Sequence, residues 1–499
     1  MTLLLCFMTS LFLFLSFPKL DYFILGWLAL IPFFIVVIKS KSLKDVIKKS
    51  LFTGILTNVF FLYWLIPMFR TANVNWIFSI IGCLGISFYL GLYFVIFALI
   101  IYKYREHYTK LSFLFFAAFL WCVLEYGRTY FLTGFPWNLL GYSQWKNLYF
   151  IQISDITGIY GVSFIITLFN FYLASLLISF GRKKIELKNH LTVFAILLIC
   201  FSYGYARIKW LDLKSDKRIN FKILQGNIDQ YKKFDAKYKD FIRQRYFDLA
   251  KDSGTFASDI FVYPETAFPD LYPDNIKTWF SNLEREYKVI IGAFHKKGKD
   301  YYNSAIFMNS NAEELNIYKK RHLVPFGEIF PYKDFFQKFI PAVKYVGGVS
   351  AGDDYKIFNF ENIGLGVNIC FETLFPNEVR LAVREGAQVL INISNDAWYL
   401  DTSAPYQHFS FNIFRAIENR RYLVRAANTG ISAFVDPFGR VINSLDIYKR
   451  GSLSHKTPVL TYDTFYSKYG NIFIYLAIFY CGFYFLLQKK RSKYKKSRN

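Results

Sequence analysis

Eight apolar runs, each near the length needed to cross a bilayer core, constrain this chain more than any other feature of its sequence. About 20 apolar residues wound as a helix cover roughly 30 Å of hydrocarbon, and in that solvent a helix satisfies its own backbone groups. The runs fall at 2–17, 22–38, 51–69, 76–102, 112–126, 156–180, 191–205 and 471–488, with none between Ile208 and Tyr469. The reading is a membrane domain over 1–207, an extramembrane domain over 208–469, and a last span with a basic tail over 470–499. The 54% hydrophobic and 21% aromatic content agrees with this division. Met1 to Cys6 holds no Lys or Arg and no small-residue cleavage site follows, so the first run is read as a span and not as a cleaved leader.

The basic residues give the orientation. Segments 39–50, 103–110, 181–190 and 489–499 hold 19 Lys and Arg, against four in 18–21, 70–75 and 127–155. Cytoplasmic loops retain positive charge, so the first set is expected inside, with both termini, and the domain 208–469 outside. Those inside segments carry only Asp45, Glu106 and Glu186 as acids, so they account for most of the formal +24. The basic balance is a topology signal, and no nucleic-acid partner is expected.

Cys6, Cys83, Cys122, Cys200 and Cys481 lie in or at the ends of the apolar runs, where a thiol behaves as a small apolar group. Cys370 stands alone in the extramembrane domain and has no disulfide partner there. A buried structural thiol accounts for that position as well as a reactive one does. His295, His322, His408 and His455 are scattered singly, without metal-ligand spacing, so no metal is expected.

Short β-rich runs, FKILQGNI, DIFVYPE, KVIIGAF, YNSAIFMN, GLGVNICFE and QVLINIS, alternate with helical stretches and predict an α/β domain. One helix is expected near 274–286 and a long one near 405–425, where Arg415, Glu418, Arg421 and Arg425 recur at helical spacing and read as surface ion pairs. Glu265, Lys320 and Cys370 each follow a predicted strand. Such residues can share a cleft, the carboxylate taking a thiol proton and the ammonium, with the Phe371 N–H, facing an oxyanion.

Their surroundings carry a resemblance. QGNIDQ at 225–230, YPET at 263–266, KRHLVPFGE at 320–328, NICFE at 368–372, SNDAW at 394–398 and NTGISA at 428–433 resemble the membrane branch of the nitrilase superfamily, the apolipoprotein N-acyltransferases. TGFPWNLLGYSQ at 133–144 is similar to a segment in that family's membrane half. The resemblance implies eight transmembrane helices joined to a nitrilase-like αββα sandwich on the periplasmic side of a bacterial inner membrane. It implies acyl transfer from a phospholipid, through a thioester on Cys370, to the α-amino group of a diacylglyceryl-cysteine apolipoprotein. Glu265 would be the general base and Lys320 the oxyanion partner.

Glu328 and Glu372 match further functional positions of the family. Phe371 and Phe234 stand where it often has Tyr and Trp, keeping a ring but losing a polar handle, and Trp398 closes SNDAW. The aromatic and basic stretch 331–348 reads as a lid touching the membrane surface. No nucleotide loop of the G-x-x-x-x-G-K-[ST] type is present, and no cofactor is expected, since exchanging an ester for an amide runs downhill in acyl-transfer energy overall. A membrane-tethered amidase would use the same three residues. A transporter carrying an external binding module would not need Cys370, and its spans offer few charges, Glu125 being the main one.

Overall fold

A computed structural model describes residues 2–180, 185–233, 235–251, 259–280, 287–329 and 348–496, with side chains to 491. Phe234 and the expected lid, apart from its last residue Gly348, lie outside the described residues. The chain divides into two compact units, Met1–Leu211 with Tyr469–Asn499, and Asp212–Lys468.

In the first unit, five described helices are long and apolar enough to cross a membrane: Trp76–Lys103, Leu111–Thr133, Ile159–Ser179, Leu187–Trp210 and Ile472–Arg491. Leu43–Leu62 and Leu65–Thr71 meet at a 48° bend and make a sixth if they form one span. Pro67 explains the bend: it has no N–H for a continuous helix, and the restart at Leu65 puts it in a first turn, where none is needed. Thr2–Ser16 and Phe23–Lys39 are apolar but shorter.

Two glycines let helices of this unit touch through their backbones. A Cβ on Gly54 would stand 2.7 Å from Gly91 Cα, so Leu43–Leu62 and Trp76–Lys103 cross there with no side chain between them. Along Trp76–Lys103 the residues Ile77, Ile81, Leu84, Phe88, Leu92 and Ile96 are exposed at helical spacing. Such an apolar stripe is costly in water and suits hydrocarbon.

The second unit is built on two sheets. The first holds β1 (Arg218–Gln225), β2 (Ile260–Val262), β3 (Leu271–Tyr272), β4 (Lys288–Lys297), β5 (Asp300–Asn309), β6 (Glu314–Lys319) and β13 (Gly451–Pro458), in the order β13-β1-β2-β4-β5-β6 with β3 beside β4. The second runs β12-β11-β10-β9-β8-β7, from β7 (Ile357–Phe360), β8 (Ile363–Ile369), β9 (Val389–Ser394), β10 (Leu423–Ala427), β11 (Ser432–Val435) and β12 (Val441–Leu445).

Period-two patterning makes the sandwich. Ile219, Phe221 and Ile223 of β1 face Leu365, Val367 and Ile369 of β8 and Ile391 and Ile393 of β9 across one buried core. On the other face of β1, Lys222 turns its Nζ to the Ala250 carbonyl, 3.2 Å away near the end of helix Lys239–Lys251, where a cation suits the dipole. That helix covers the first sheet through Ile242, Tyr246 and Leu249. Pro376–Arg384 and Ala404–Asn419 cover the second.

The helix expected over 405–425 is shorter and its charges are not on a surface. It runs Ala404–Asn419 and stops at Arg420, whose φ of 49° is left-handed and whose Nη1 is held 2.9 Å from the Pro437 carbonyl. The next residues, LVRAA, are β10 in the centre of the sheet. Arg415, Glu418, Arg421 and Arg425 are all buried. Arg415 pairs with Glu418 at 2.8 Å, Arg421 donates to the Ala387 carbonyl at 3.1 Å, and Arg425 pairs with Asp396 at 2.8 Å. The helix near 274–286 is described over Ile276–Phe280.

Candidate active site

Strand β8 ends at Ile369 and the chain turns sharply at Cys370, whose φ of 51° is left-handed, before a 3-10 turn over Cys370–Leu374. A non-glycine residue pays roughly 1–2 kcal/mol for that conformation, so the surroundings must hold it. His408 Nε2 lies 3.1 Å from the Cys370 carbonyl, and His408 Nδ1 lies 2.8 Å from Asp396 Oδ1. Asp396 Oδ1 also accepts from Ser394 Oγ at 2.9 Å, and Oδ2 accepts from Arg425 Nη2 at 2.8 Å. This chain of fully buried groups fixes the turn from behind.

Burial pushes the Cys370 thiol well above its ordinary range. The Glu265 carboxylate adds to that shift, and the Lys320 ammonium opposes it. Glu265 follows β2, and each of its oxygens is engaged: Oε1 accepts from Asn303 Nδ2 at 2.7 Å and Lys320 Nζ at 3.3 Å, and Oε2 from the Asn395 N–H at 2.9 Å. Gly292 on β4 makes room for this backbone, since a Cβ there would stand 2.5 Å from Glu265 Cα. Lys320 Nζ also contacts Glu328 at 2.9 Å. Burial alone would push Lys320 down, but the two carboxylates override it and hold the ammonium charged.

Asn303, on β5, joins the two carboxylates by donating from one nitrogen to Glu265 and to Glu328 Oε1, the latter at 2.8 Å. Its Oδ1 is buried without a partner among the described residues. The separated motif strings also meet here. Asn395 Nδ2 donates to Gln230 at 2.8 Å, Asn428 Nδ2 to Asn395 Oδ1 at 3.0 Å, and Asn428 Oδ1 accepts from the Ile228 N–H at 2.9 Å. Gly430 is required beside them, because a Cβ there would stand 2.0 Å from Asp396 Oδ2.

Glu372 does not touch this cluster through a hydrogen bond. It accepts from the N–H groups of Ile369 at 2.6 Å, Arg321 at 2.7 Å and His322 at 3.3 Å, and from Tyr318 Oη at 2.7 Å. It thereby ties the strand leading to Lys320 to the Cys370 turn. Glu372→Gln would aim an NH2 at those donors, and a loss of about 1–3 kcal/mol in stability is expected, read as a lower unfolding midpoint in denaturant. Phe371 is buried, with its ring 5.3 Å from that of Phe375, and Trp398 is 37% exposed on the turn after β9.

Lys233 carries a signal the sequence reading passed over. Its Nζ, buried, donates to the Glu265 carbonyl at 2.8 Å, and burial pushes its pKa down to about 7, against the pull of Glu265 and Cys370. Between that value and the ordinary 10.5, the folded chain binds fewer protons than the unfolded one. Stability should therefore rise with pH in this window, by up to about 1.4 kcal/mol per unit. Lys233→Met should flatten the rise, measured by denaturant unfolding at pH 7.5 and 9.5.

Cys370, Asp396 and His408 offer ligand atoms within 4.8 Å of one another. Both ring nitrogens of His408 and both oxygens of Asp396 are already hydrogen-bonded, so these donors do not fit a metal ion.

Residues 250–458 match the carbon-nitrogen hydrolase domain, and residues 9–172 match the apolipoprotein N-acyltransferase N-terminal domain. The fold and the first match define the class: a nitrilase-like carbon-nitrogen hydrolase unit, here joined to an apolar helical unit. Over 477 residues the chain is 33% identical to the apolipoprotein N-acyltransferase of Geobacter metallireducens, covering 93% of this chain and 91% of that one. It is 30% identical to that of Wigglesworthia glossinidia brevipalpis, over 92% of each chain. An amidase of the nitrilase superfamily from Nesterenkonia AN1 aligns with 51% of this chain and 95% of its own at 18% identity, with a TM-score of 0.38. The chain belongs to the apolipoprotein N-acyltransferase family.

Proposed function

We propose that this protein transfers an acyl chain from a phospholipid, phosphatidylethanolamine in the first instance, to the free α-amino group of a diacylglyceryl-cysteine apolipoprotein. The observation that supports it is the Glu265–Lys320–Glu328 cluster beside a buried thiol at a strand end, in a chain related to these enzymes over both of its units. In this reading the eight apolar runs are all spans, both termini are cytoplasmic and the second unit is on the periplasmic side of the inner membrane; the distribution of basic residues supports it.

Cys370 attacks the ester carbonyl as Glu265 takes its proton, and the oxyanion faces Lys320 and the turn following the nucleophile. Because burial disfavours a free thiolate, proton removal accompanies formation of the C–S bond. The C–O bond then breaks, the proton passes to the departing lysophospholipid, and a thioester remains. In the second half the amine attacks, Glu265 accepts its proton, and the C–S bond breaks as the thiol recovers a proton. Glu328 orients Lys320, while Glu372 supports the turn. Trp398 offers exposed apolar surface for an acyl chain, while the buried Phe371 packs beside the turn.

The test is incubation with acyl-labelled phosphatidylethanolamine, followed by peptide mass spectrometry. A labelled thioester on Cys370 that moves to the amino terminus of a diacylglyceryl peptide is the expected result. Release of free fatty acid at the same rate with and without the peptide would instead identify a tethered hydrolase. Absence of any acyl-cysteine would overturn the proposal.

A further inference from the structure

The peptide that joins Cys370 to Phe371 is gripped at one end and open at the other. Its carbonyl lies 3.1 Å from His408 Nε2, and on the far side of the same ring Nδ1 lies 2.8 Å from Asp396 Oδ1. A carbonyl oxygen only accepts, so Nε2 carries a hydrogen. Burial alone would raise the Asp396 carboxyl, but Arg425 and His408 override it and hold the group ionised, well below the usual carboxylate range. Nδ1 therefore faces an acceptor as well, and a ring that donates from both nitrogens is positively charged. Arg425 Nη2 stands farther from Nδ1, at 3.3 Å, and is engaged at 2.8 Å with Asp396 Oδ2.

The open end is the Phe371 N–H. It belongs to the second residue of the 3-10 turn Cys370–Leu374, so the turn offers it no acceptor, and among the described residues it meets no backbone acceptor outside the turn. The two ends of a trans peptide point in opposite directions, so this N–H points away from His408. Hydrogen bonds at the two ends of one amide reinforce each other, because electron density drawn to the oxygen leaves the N–H hydrogen more positive. The same grip holds the left-handed backbone at Cys370, which sets the direction of the peptide.

We infer that His408 is a positioning residue for the acyl transfer: by holding the Cys370 carbonyl it aims the Phe371 N–H at the oxyanion and strengthens it as a donor. The inference rests on the proposed function only in taking Cys370 as the nucleophile. Cys370, Asp396 and His408 offer atoms within 4.8 Å of one another, so a direct effect of the ring on the sulfur is the rival that the experiment must separate.

The test compares two reactions of one thiol in the full chain purified in detergent. p-Nitrophenyl octanoate acylates Cys370 through a tetrahedral oxyanion and releases nitrophenolate, whereas iodoacetamide forms an S–C bond with loss of iodide and makes no oxyanion. His408→Leu should slow the nitrophenolate burst at least about tenfold more than it slows alkylation of Cys370, followed by peptide mass spectrometry. Asp396 keeps Arg425 and Ser394 in that variant, which supports the fold. His408→Gln, whose NH2 can reach the same carbonyl, should recover part of the burst. Equal slowing of both reactions would assign His408 to the sulfur or to the fold alone, and an unchanged burst would remove it from the reaction; either overturns the inference. A second measurement needs no change at His408. With Cys6→Ala and Cys200→Ala, Cys370–Phe371 is the only Cys–Phe pair in the chain, so carbonyl-labelled cysteine with nitrogen-labelled phenylalanine isolates its amide by NMR. Octanal adds to the thiol as a hemithioacetal whose oxygen takes the oxyanion's place, and the Phe371 amide proton should move downfield. No movement would overturn the inference whatever the variants do. A chain acylated by the nitrophenyl ester but never by phospholipid would defeat the function proposed above and leave the role of His408 standing.

Discussion

Replacing Cys370 with alanine is expected to abolish the acyl-enzyme and to lower acyl transfer by at least about 10⁴-fold, since no other described thiol lies in the second unit. The fold should survive. Only a sulfur atom is lost from a turn that His408 and Glu372 hold through backbone groups, so the unfolding midpoint should shift little. Single-turnover acylation with labelled phospholipid reads the chemical step directly. Retained thioester anywhere on the chain would show that Cys370 is not the nucleophile, while loss of both activity and cooperative unfolding would show that the thiol is structural.

Glu265→Gln should slow acylation by about 10²–10⁴-fold, the usual worth of a positioned base. Gln keeps the shape but cannot take the thiol proton, and its NH2 would oppose Asn303 or Lys320. Lys320 stays paired with Glu328, which limits structural damage. The pre-steady-state burst and the later transfer to a peptide amine should both slow, because the same carboxylate serves both halves. An unchanged burst with slowed transfer would confine Glu265 to the second half. An unchanged rate in both would remove it from the mechanism.

Much of this was legible in the sequence, for reasons that particular residues make plain. The strands leading to Glu265, Lys320 and Cys370 announce themselves by apolar alternation, but that these strand ends meet, although β2, β6 and β8 do not pair with one another, is a property of the two packed sheets. Arg425 was misread because RAIENRRYLVRAA keeps helical charge spacing through the left-handed stop at Arg420. That stop depends on a carbonyl 17 residues away, which local spacing does not carry. The pairing of His408 with Asp396 and Cys370 likewise spans 12 and 38 residues. Lys233 carried no signal in the sequence, since its burial beneath Glu265 is a tertiary fact. The apolar runs 2–17 and 22–38 became helices shorter than a straight span requires, because the sequence fixes hydropathy more firmly than helix ends.

Asn303 has one more consequence. Two carboxylates gripped from the same nitrogen would ordinarily trade a single proton between them, as acidic dyads do. An amide cannot ionise, so Asn303 ties Glu265 to Glu328 without entering that exchange, and Lys320 Nζ sits against both carboxylates. In the proposed reaction the cluster is a relay with one place for a proton: Glu265 takes it up at each attack and gives it up when the leaving group departs, while Asn303 keeps the framework unchanged.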